Sequence, residues 1–322
     1  MTPAEILDTS LGVYQNMGWT LLRVCAVPSL MCLAALLFTF DYVIPAIQYT
    51  DNPANVDAQL IEALVTLLLG VGVGGSLFFF GIAYAGALTT QIVADYVSGS
   101  MPNLDAAKRA ARRNLWRVAM LSFRQCMWAF AGLILSALAL MASAWIATHR
   151  SDSFAPVYIT GFGIIAMVVG LILLPVIVTT HALAVPTCVN EGLAVTRALR
   201  RGRTLLKAAP PYQPSGYDTI WALILLAGLL LLFILGGIEG AMHLAGAQNW
   251  VARLHWSVPF RPVIAGALAY LAPYLAIWTI LPVWCTTTTI LYFERRIRLE
   301  GYDIESLAKD IWRADKHRRF EL

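Results

Sequence analysis

A chain of 322 residues that is 59% hydrophobic and only 13% charged, with a mean hydropathy of +0.68, excludes a water-soluble globular domain, whose surface would here be mostly apolar. Lipid is the solvent these residues require. The formal net charge of +4 is small, so the placement of the basic residues carries more information than their sum.

Thr2-Pro3-Ala4-Glu5 has the form of a capping box, which predicts a helix starting there. Met1 to Gly18 holds no basic residue and carries Glu5 and Asp8, so no cleavable signal peptide is expected and the first helix stays in the mature protein. Leu7, Leu11 and Tyr14 recur at helical spacing and predict a segment lying along the membrane surface. The first span, Trp19 to Phe40, then turns in, with Arg23 near enough to its end to snorkel.

Asp41 to Gln59 contains three aspartates, Pro45 and Pro53 and no lysine or arginine, which reads as a connector on the non-cytoplasmic side. The second span, about Leu64 to Ile92, carries Gly70, Gly72, Gly74, Gly75, Gly81 and Gly86. Small residues let helix backbones approach closely in lipid, so this span is expected against its neighbours.

Asn103 caps the next predicted helix, in which Leu104, Ala107, Ala111, Leu115 and Val118 line one side and Lys108, Arg109, Arg112 and Arg113 lie away from it. That is an interfacial basic helix running into a third span, about Val118 to Ile146. The fourth span, about Val157 to Ala184, holds Pro175 and Thr179-Thr180. Arg197, Arg200, Arg201, Thr204 and Lys207 then share one helix face, and Pro210-Pro211 to Gly216 stops that helix.

Thr219 to Ile238 is a fifth span of almost unbroken leucine and isoleucine, with the largest lipid-facing area expected. Glu239 and His243, at i and i+4 near its outer end, are spaced as a polar pair. Gln248 to Pro259, with two tryptophans, is expected to rest at the outer interface. The sixth span, about Val263 to Phe293, is predicted to break at Pro282, pass through a threonine run and leave the membrane as a basic segment ending at Glu300-Gly301. A last amphipathic helix, about Asp303 to Lys316, is expected in the tail.

Basic residues cluster in the connectors after spans two and four and in the tail, whereas the opposite connectors hold only Arg150, Arg253 and Arg261. By the positive-inside rule both termini are cytoplasmic. The expected fold is an all-α integral membrane protein: six transmembrane helices as three hairpin repeats, about 1–99, 100–190 and 191–301, each preceded by an amphipathic interfacial helix, with a cytoplasmic tail over 302–322. The best internal match is Leu-Pro-Val-x-x-Thr-Thr, at Leu174 to Thr180 and at Leu281 to Thr287. Proline frees a backbone carbonyl and threonine hydroxyls bond carbonyls a turn back, a combination that makes a kink tolerable in lipid.

Pro3-Ala-Glu-Ile-Leu-Asp8 with Tyr14, Glu191-Gly192 followed by Ala198-Leu-Arg-Arg-Gly-Arg203, and above all Thr289-Ile-Leu-Tyr-Phe-Glu-Arg-Arg-Ile-Arg-Leu-Glu-Gly-Tyr-Asp-Ile-Glu-Ser-Leu-Ala308 carry a resemblance over nearly the whole chain. The sequence resembles the membrane-domain family that precedes some glycerophosphodiester phosphodiesterases and also occurs as free-standing bacterial membrane proteins. The resemblance implies fold and placement in a bacterial cytoplasmic (inner) membrane. No phosphodiesterase domain follows Leu322, so that activity is not carried over. Gln15 and Asn16 stand where the family has basic residues after its tyrosine.

Candidate chemistry is sparse. Cys25, Cys32, Cys126, Cys188 and Cys285 form no C-x-x-C pair and read as apolar filling. His149, His181, His243, His255 and His317 lack ligand spacing, so neither a metal nor a cofactor is expected. Arg23, Glu62, Asp95 and Arg124 fall toward span ends, leaving no ionisable residue at the midplane for coupled transport.

The basic helices are the clearest lead: Lys108, Arg109, Arg112, Arg113, Arg197, Arg200, Arg201 and Lys207 are candidate lipid-headgroup ligands, each worth about 1 kcal/mol beside an anionic leaflet. The expected function is therefore non-enzymatic, a scaffold or partner subunit engaging anionic lipid and another membrane protein, with no nucleic acid involved. The alternative is a transporter or lipid-handling channel through the repeat interface, with Thr89, Thr90, Thr179, Thr180, Thr286 and Thr287 lining a cavity.

Overall fold

The computed structural model describes residues 3–39, 62, 65–66, 68–149, 154–207, 216–244 and 260–301. The expectations for Thr2, for 41–59, 150–152, 210–215, 248–259 and 302–322, and for the side chains of Glu239 and His243, lie outside them. The described residues are helical and contain no strand.

Nine α-helices follow in chain order among the described residues: α1 Pro3–Leu37, α2 Ser76–Val97, α3 Leu104–Arg113, α4 Leu115–His149, α5 Ala155–His181, α6 Ala184–Asn190, α7 Val195–Lys207, α8 Gly216–Leu244 and α9 Phe260–Glu300. A π-helical stretch, Gly70–Gly75, leads into α2. Six of the helical stretches are long and apolar enough to cross a membrane, built on α1, α2, α4, α5, α8 and α9. They run up and down, so the start of α1, α4 and α8 and the end of α2, α5 and α9 gather at one end of the bundle. The two basic helices α3 and α7 lie at that same end, which is called the basic end below.

α1 and α9 form the spine, and both overrun the bilayer. At about 1.5 Å per residue, their 35 and 41 residues extend to about 50 and 60 Å against a hydrocarbon core of about 30 Å. The surface-lying segment expected before the first span is absent as a separate element: α1 is one helix from Pro3. The reason is tertiary, since Ile6 and Val13 are buried in a cluster with Leu205, Leu206, Leu291 and Tyr292. Leu11, on the face the spacing had suggested, stays exposed.

The break expected at Pro282 is likewise absent, and α9 continues through Pro273 and Pro282 as α5 does through Pro175. The carbonyls that Pro175 and Pro282 free are those four residues back, Leu171 and Trp278. The threonines do not serve these. Thr179 Oγ1 donates to the Pro175 carbonyl at 2.6 Å and Thr287 Oγ1 to the Val283 carbonyl at 2.8 Å, which satisfies each buried hydroxyl within its own helix. α9 is tied to its neighbours on both sides of Pro282: Trp278 Nε1 donates to the Leu22 carbonyl of α1 at 2.7 Å, and the hydroxyls of Thr289 and Thr90 meet at 3.2 Å across to α2.

Close helix approach depends on glycine where the sequence placed it and at one pair it did not single out. A Cβ on Gly81 would sit 2.6 Å from Cys32 Sγ and 2.9 Å from the Pro28 carbonyl oxygen, so α2 meets α1 almost backbone to backbone. In the α4–α5 hairpin a Cβ on Gly132 would lie 2.6 Å from Gly170 Cα. Ser136 Oγ donates to the Gly163 carbonyl at 2.8 Å just beyond that crossing. The largest outward apolar faces belong to both α5 and α8, where Ile165, Ile172, Leu225, Leu232 and Phe233 are exposed.

Candidate functional site

Three features at or near the basic end carry polar chemistry: two cationic helix faces, an ion-pair cluster, and an apolar cavity closed by a histidine.

Asn103 starts α3 by accepting from the backbone N–H of Asp105 and Ala106 at 3.0 and 3.1 Å. Ala107 and Ala111 are its buried stripe, packed with Leu21, Ile92, Val118 and Leu199, and this turns Lys108, Arg109, Arg112 and Arg113 outward, all exposed. In α7 the buried stripe is Ala198, Leu199, Gly202, Leu205 and Leu206. A side chain at Gly202 would meet the Leu183 and Ala184 backbone at 3.2–3.3 Å, so glycine lets α7 lie directly on the turn between α5 and α6. Arg197, Arg200 and Lys207 are exposed on the other side. Lys108, Arg109, Arg112, Arg113, Arg197, Arg200 and Lys207 have no ion-pair partner among the described residues.

Arg201 differs from its helix neighbours. It is ion-paired with Glu300 and, at 3.4 Å, with Glu191, so unlike the seven cations of these faces it has carboxylate partners within the protein. Tyr292 Oη donates to Glu191 Oε1 at 3.0 Å and accepts from Arg296 Nη1 at 3.0 Å, and Arg296 Nε reaches Glu300 Oε2 at 3.3 Å. This cluster ties the end of α6, the face of α7 and the end of α9 together. Its acids are the Glu-Gly pairs visible in the sequence; the charge partners across 99 residues were not.

Gly99, Gly192 and Gly301 each follow a helix end in the left-handed conformation, at φ 73°, 62° and 61°. Gly192 also presents its carbonyl to Arg117 Nη1 at 3.0 Å, which pins the α6–α7 turn to α4.

The six threonines do not line the cavity. Thr89, Thr90, Thr179, Thr286 and Thr287 are buried between helices and Thr180 is half-buried. Thr89 donates to the Ala85 carbonyl at 2.8 Å and Thr180 to the Ile177 carbonyl at 2.9 Å. The cavity, about 460 Å³, is walled by Cys32, Phe79, Ile82, Pro175, Ile177 and Leu281. It touches Leu174 and Pro175 of the first Leu-Pro-Val copy and Leu281 of the second, but not their threonines.

His181 closes its basic end. The ring is buried; Nε2 sits 2.8 Å from Arg203 Nη2 and Nδ1 sits 2.9 Å from the Ile177 carbonyl. A guanidinium only donates, so Nε2 is the acceptor, Nδ1 carries the proton, and the imidazole is neutral in this arrangement. Gln125 Nε2 reaches the His181 carbonyl at 3.4 Å. Sequence reasoning passed over this group. The available signal was Arg203, the one arginine of α7 that falls off the Arg197–Arg200–Arg201 face.

All five cysteines are reduced and buried. No group of three or more His, Cys, Asp or Glu able to hold a metal occurs among the described residues. No family model, curated protein or solved structure matches this chain.

Proposed function

We propose that this chain is a non-enzymatic protein of a bacterial cytoplasmic membrane, a scaffold or partner subunit that engages anionic lipid headgroups through α3 and α7. The observation that carries it is the set of seven cations exposed on the outer faces of these two helices, with Arg203 exposed apart from them, at one end of a bundle built of membrane-length helices. Such charges attract an anionic leaflet within a Debye length. In this reading the chain is three hairpin units with both termini cytoplasmic. The recurrence of a left-handed glycine just past a helix end, at residues 99, 192 and 301, supports the repeat. The likeness of Thr289 to Ala308 to the phosphodiesterase-associated membrane domains supports the same placement.

The test is lipid retention. Protein extracted gently and analysed by native mass spectrometry should carry phosphatidylglycerol-like lipid, and Arg197→Gln, Arg200→Gln and Lys207→Gln together should lower its occupancy. Equal occupancy in a folded variant removes the reading. Orientation is checked with Lys108→Cys and Arg200→Cys, which an impermeant maleimide should label only from the cytoplasmic side.

The second reading, a lipid-handling protein, is favoured by the apolar cavity between α5, α8 and α9. Its test is lipid movement between leaflets in reconstituted vesicles; no movement above the protein-free rate counts against it.

A further inference from the structure

We propose that the apolar cavity bounded by α2, α4, α5, α8 and α9 is a binding site for a neutral, planar two-ring ligand of the 1,4-naphthoquinone class, its carbonyl oxygens taken by the indole N–H of Trp284 and the side-chain amide of Gln125.

The wall excludes charge. Among the described residues that line the cavity there is no Asp, Glu, Lys or Arg. His181 adds no spare polar atom, because one ring nitrogen meets Arg203 and the other the Ile177 carbonyl. An ion placed there would lose its hydration and find no counter-charge, a cost that apolar contacts do not offset. The occupant is therefore neutral.

Size and shape narrow it further. The volume, about 460 Å³, lies inside the range of about 300–1,000 Å³ typical of small-ligand sites. On α5 the wall runs from Leu174 to His181 and on α9 from Ile277 to Trp284, a depth of about 10 Å on each helix at about 1.5 Å per residue. An extended long alkyl chain exceeds that depth, whereas a fused pair of six-membered rings fits within it. Aromatic side chains supply a matching surface. Phe79 stands edge to face with both Phe78 and Phe130, with centroids 6.1 Å apart in each pair, and Trp284 joins the wall from α9. A planar ring gains stacking and edge contacts on such a wall that a saturated chain does not.

Two donors on the wall are left without partners. Trp278, six residues before Trp284 on α9, gives its indole N–H to the Leu22 carbonyl at 2.7 Å. The indole N–H of Trp284 makes no such bond among the described residues, and this nitrogen can only donate. Gln125 gives one amide N–H to the His181 carbonyl, at a long 3.4 Å, and keeps the other. Away from water an unpaired N–H is costly, so a ligand that accepts from it is favoured. Trp284 is the wall residue of α9 nearest the basic end, and Gln125 is that of α4. The oxygens of the ligand belong at that end, and its second ring lies among the phenylalanines. A 1,4-quinone carries two acceptors and no donor, the complement of these two groups.

Entry is from the bilayer. Gly228 and Leu231 of α8 belong to the wall and are exposed, as are Leu225, Leu229 and Leu232 on the same membrane-length helix. The assignment is independent of headgroup binding by α3 and α7, and the two fail separately: Arg197→Gln with Arg200→Gln should leave quinone binding unchanged.

The experiment uses the full chain in phosphatidylcholine nanodiscs and tritiated 2,3-dimethyl-1,4-naphthoquinone, whose fully substituted quinone ring does not alkylate the Cys32 thiol. Equilibrium dialysis against empty nanodiscs should show saturable binding of one quinone per chain. Trp284→Phe keeps the ring and removes the donor, and should weaken binding about fivefold, the weight of one neutral hydrogen bond. Gln125→Leu should act in the same direction. The hydrocarbon 2,3-dimethylnaphthalene has the rings without the oxygens; it should compete at least tenfold more weakly, and its own affinity should not change in Trp284→Phe. Gly228→Trp places an indole into the cavity from a position whose Cβ meets nothing within 4 Å, so the melting temperature should hold and binding should vanish. The proposal is overturned by uptake no greater than that of empty nanodiscs, by binding that survives Gly228→Trp in a folded protein, or by competition from dimethylnaphthalene or palmitate as strong as from the quinone itself.

Discussion

Arg201 and Glu300 meet as an ion pair although 99 residues separate them, and Glu191 joins the pair from the other side of α7. The contact divides the arginines of one helix into two jobs. Arg201 fastens α7 to the end of α9, whereas Arg197 and Arg200 stay free on the outer face.

This division predicts opposite phenotypes for neighbouring substitutions. Arg201→Gln should lower thermal stability in detergent by up to about 1 kcal/mol, since a partly exposed ion pair contributes little more than that. Its retained anionic lipid should be unchanged. Arg197→Gln with Arg200→Gln should leave the melting temperature alone and reduce retained lipid, with an effect that shrinks as salt is raised. Melting curves and native mass spectra on the same preparations separate the two.

Gly132 and Gly170 set a second prediction. Gly132→Ala drives a Cβ into Gly170 Cα at 2.6 Å, so α4 and α5 must part. A cost of about 1–3 kcal/mol, typical of overpacking, is expected in the melting temperature. Gly161→Ala in α5 meets nothing within 4 Å and should be neutral or slightly stabilising, since alanine favours helix by up to about 1 kcal/mol over glycine. Equal melting temperatures for the two variants would contradict the backbone contact.

The threonines predict a labelling pattern. Thr90 and Thr287 are fully buried, so Thr90→Cys and Thr287→Cys should resist a hydrophilic maleimide in the folded protein, while Lys108→Cys reacts quickly. The five native cysteines are buried and should contribute little background. Rapid reaction at position 90 or 287 would instead reveal a water path along the threonines.

Gly99 isolates a backbone effect. A Cβ there touches nothing within 4 Å, but φ is 73°, so Gly99→Ala should cost about 1–2 kcal/mol through conformation alone. Gly99→Asn should cost less, because asparagine tolerates the left-handed region better. A neutral alanine variant would argue against this geometry.

How much of this was legible in advance follows from the range of each interaction. Six membrane-length helices, the Asn103 cap and the sidedness of Lys108 or Arg197 depend on residues within a few turns of one another, and composition with a 3.6-residue period exposes them. Local rules failed where distant helices decide. Leu7, Leu11 and Tyr14 share a plausible surface face, yet burial of Ile6 and Val13 against Leu205 and Tyr292 keeps α1 in one piece. Pro282 removes a hydrogen bond, yet α9 stays whole, tied by Trp278 and Thr289 to α1 and α2.

The apolar, arginine-edged character of this chain was written into its order of residues, because partition into lipid depends on side-chain type and spacing alone. Which arginine is spent on Glu300, which one reaches His181, and where empty space remains beside Leu281 arose only when the helices crossed. Those outcomes depend on the angles and depths at which nonadjacent segments pack, and no window of sequence contains both partners.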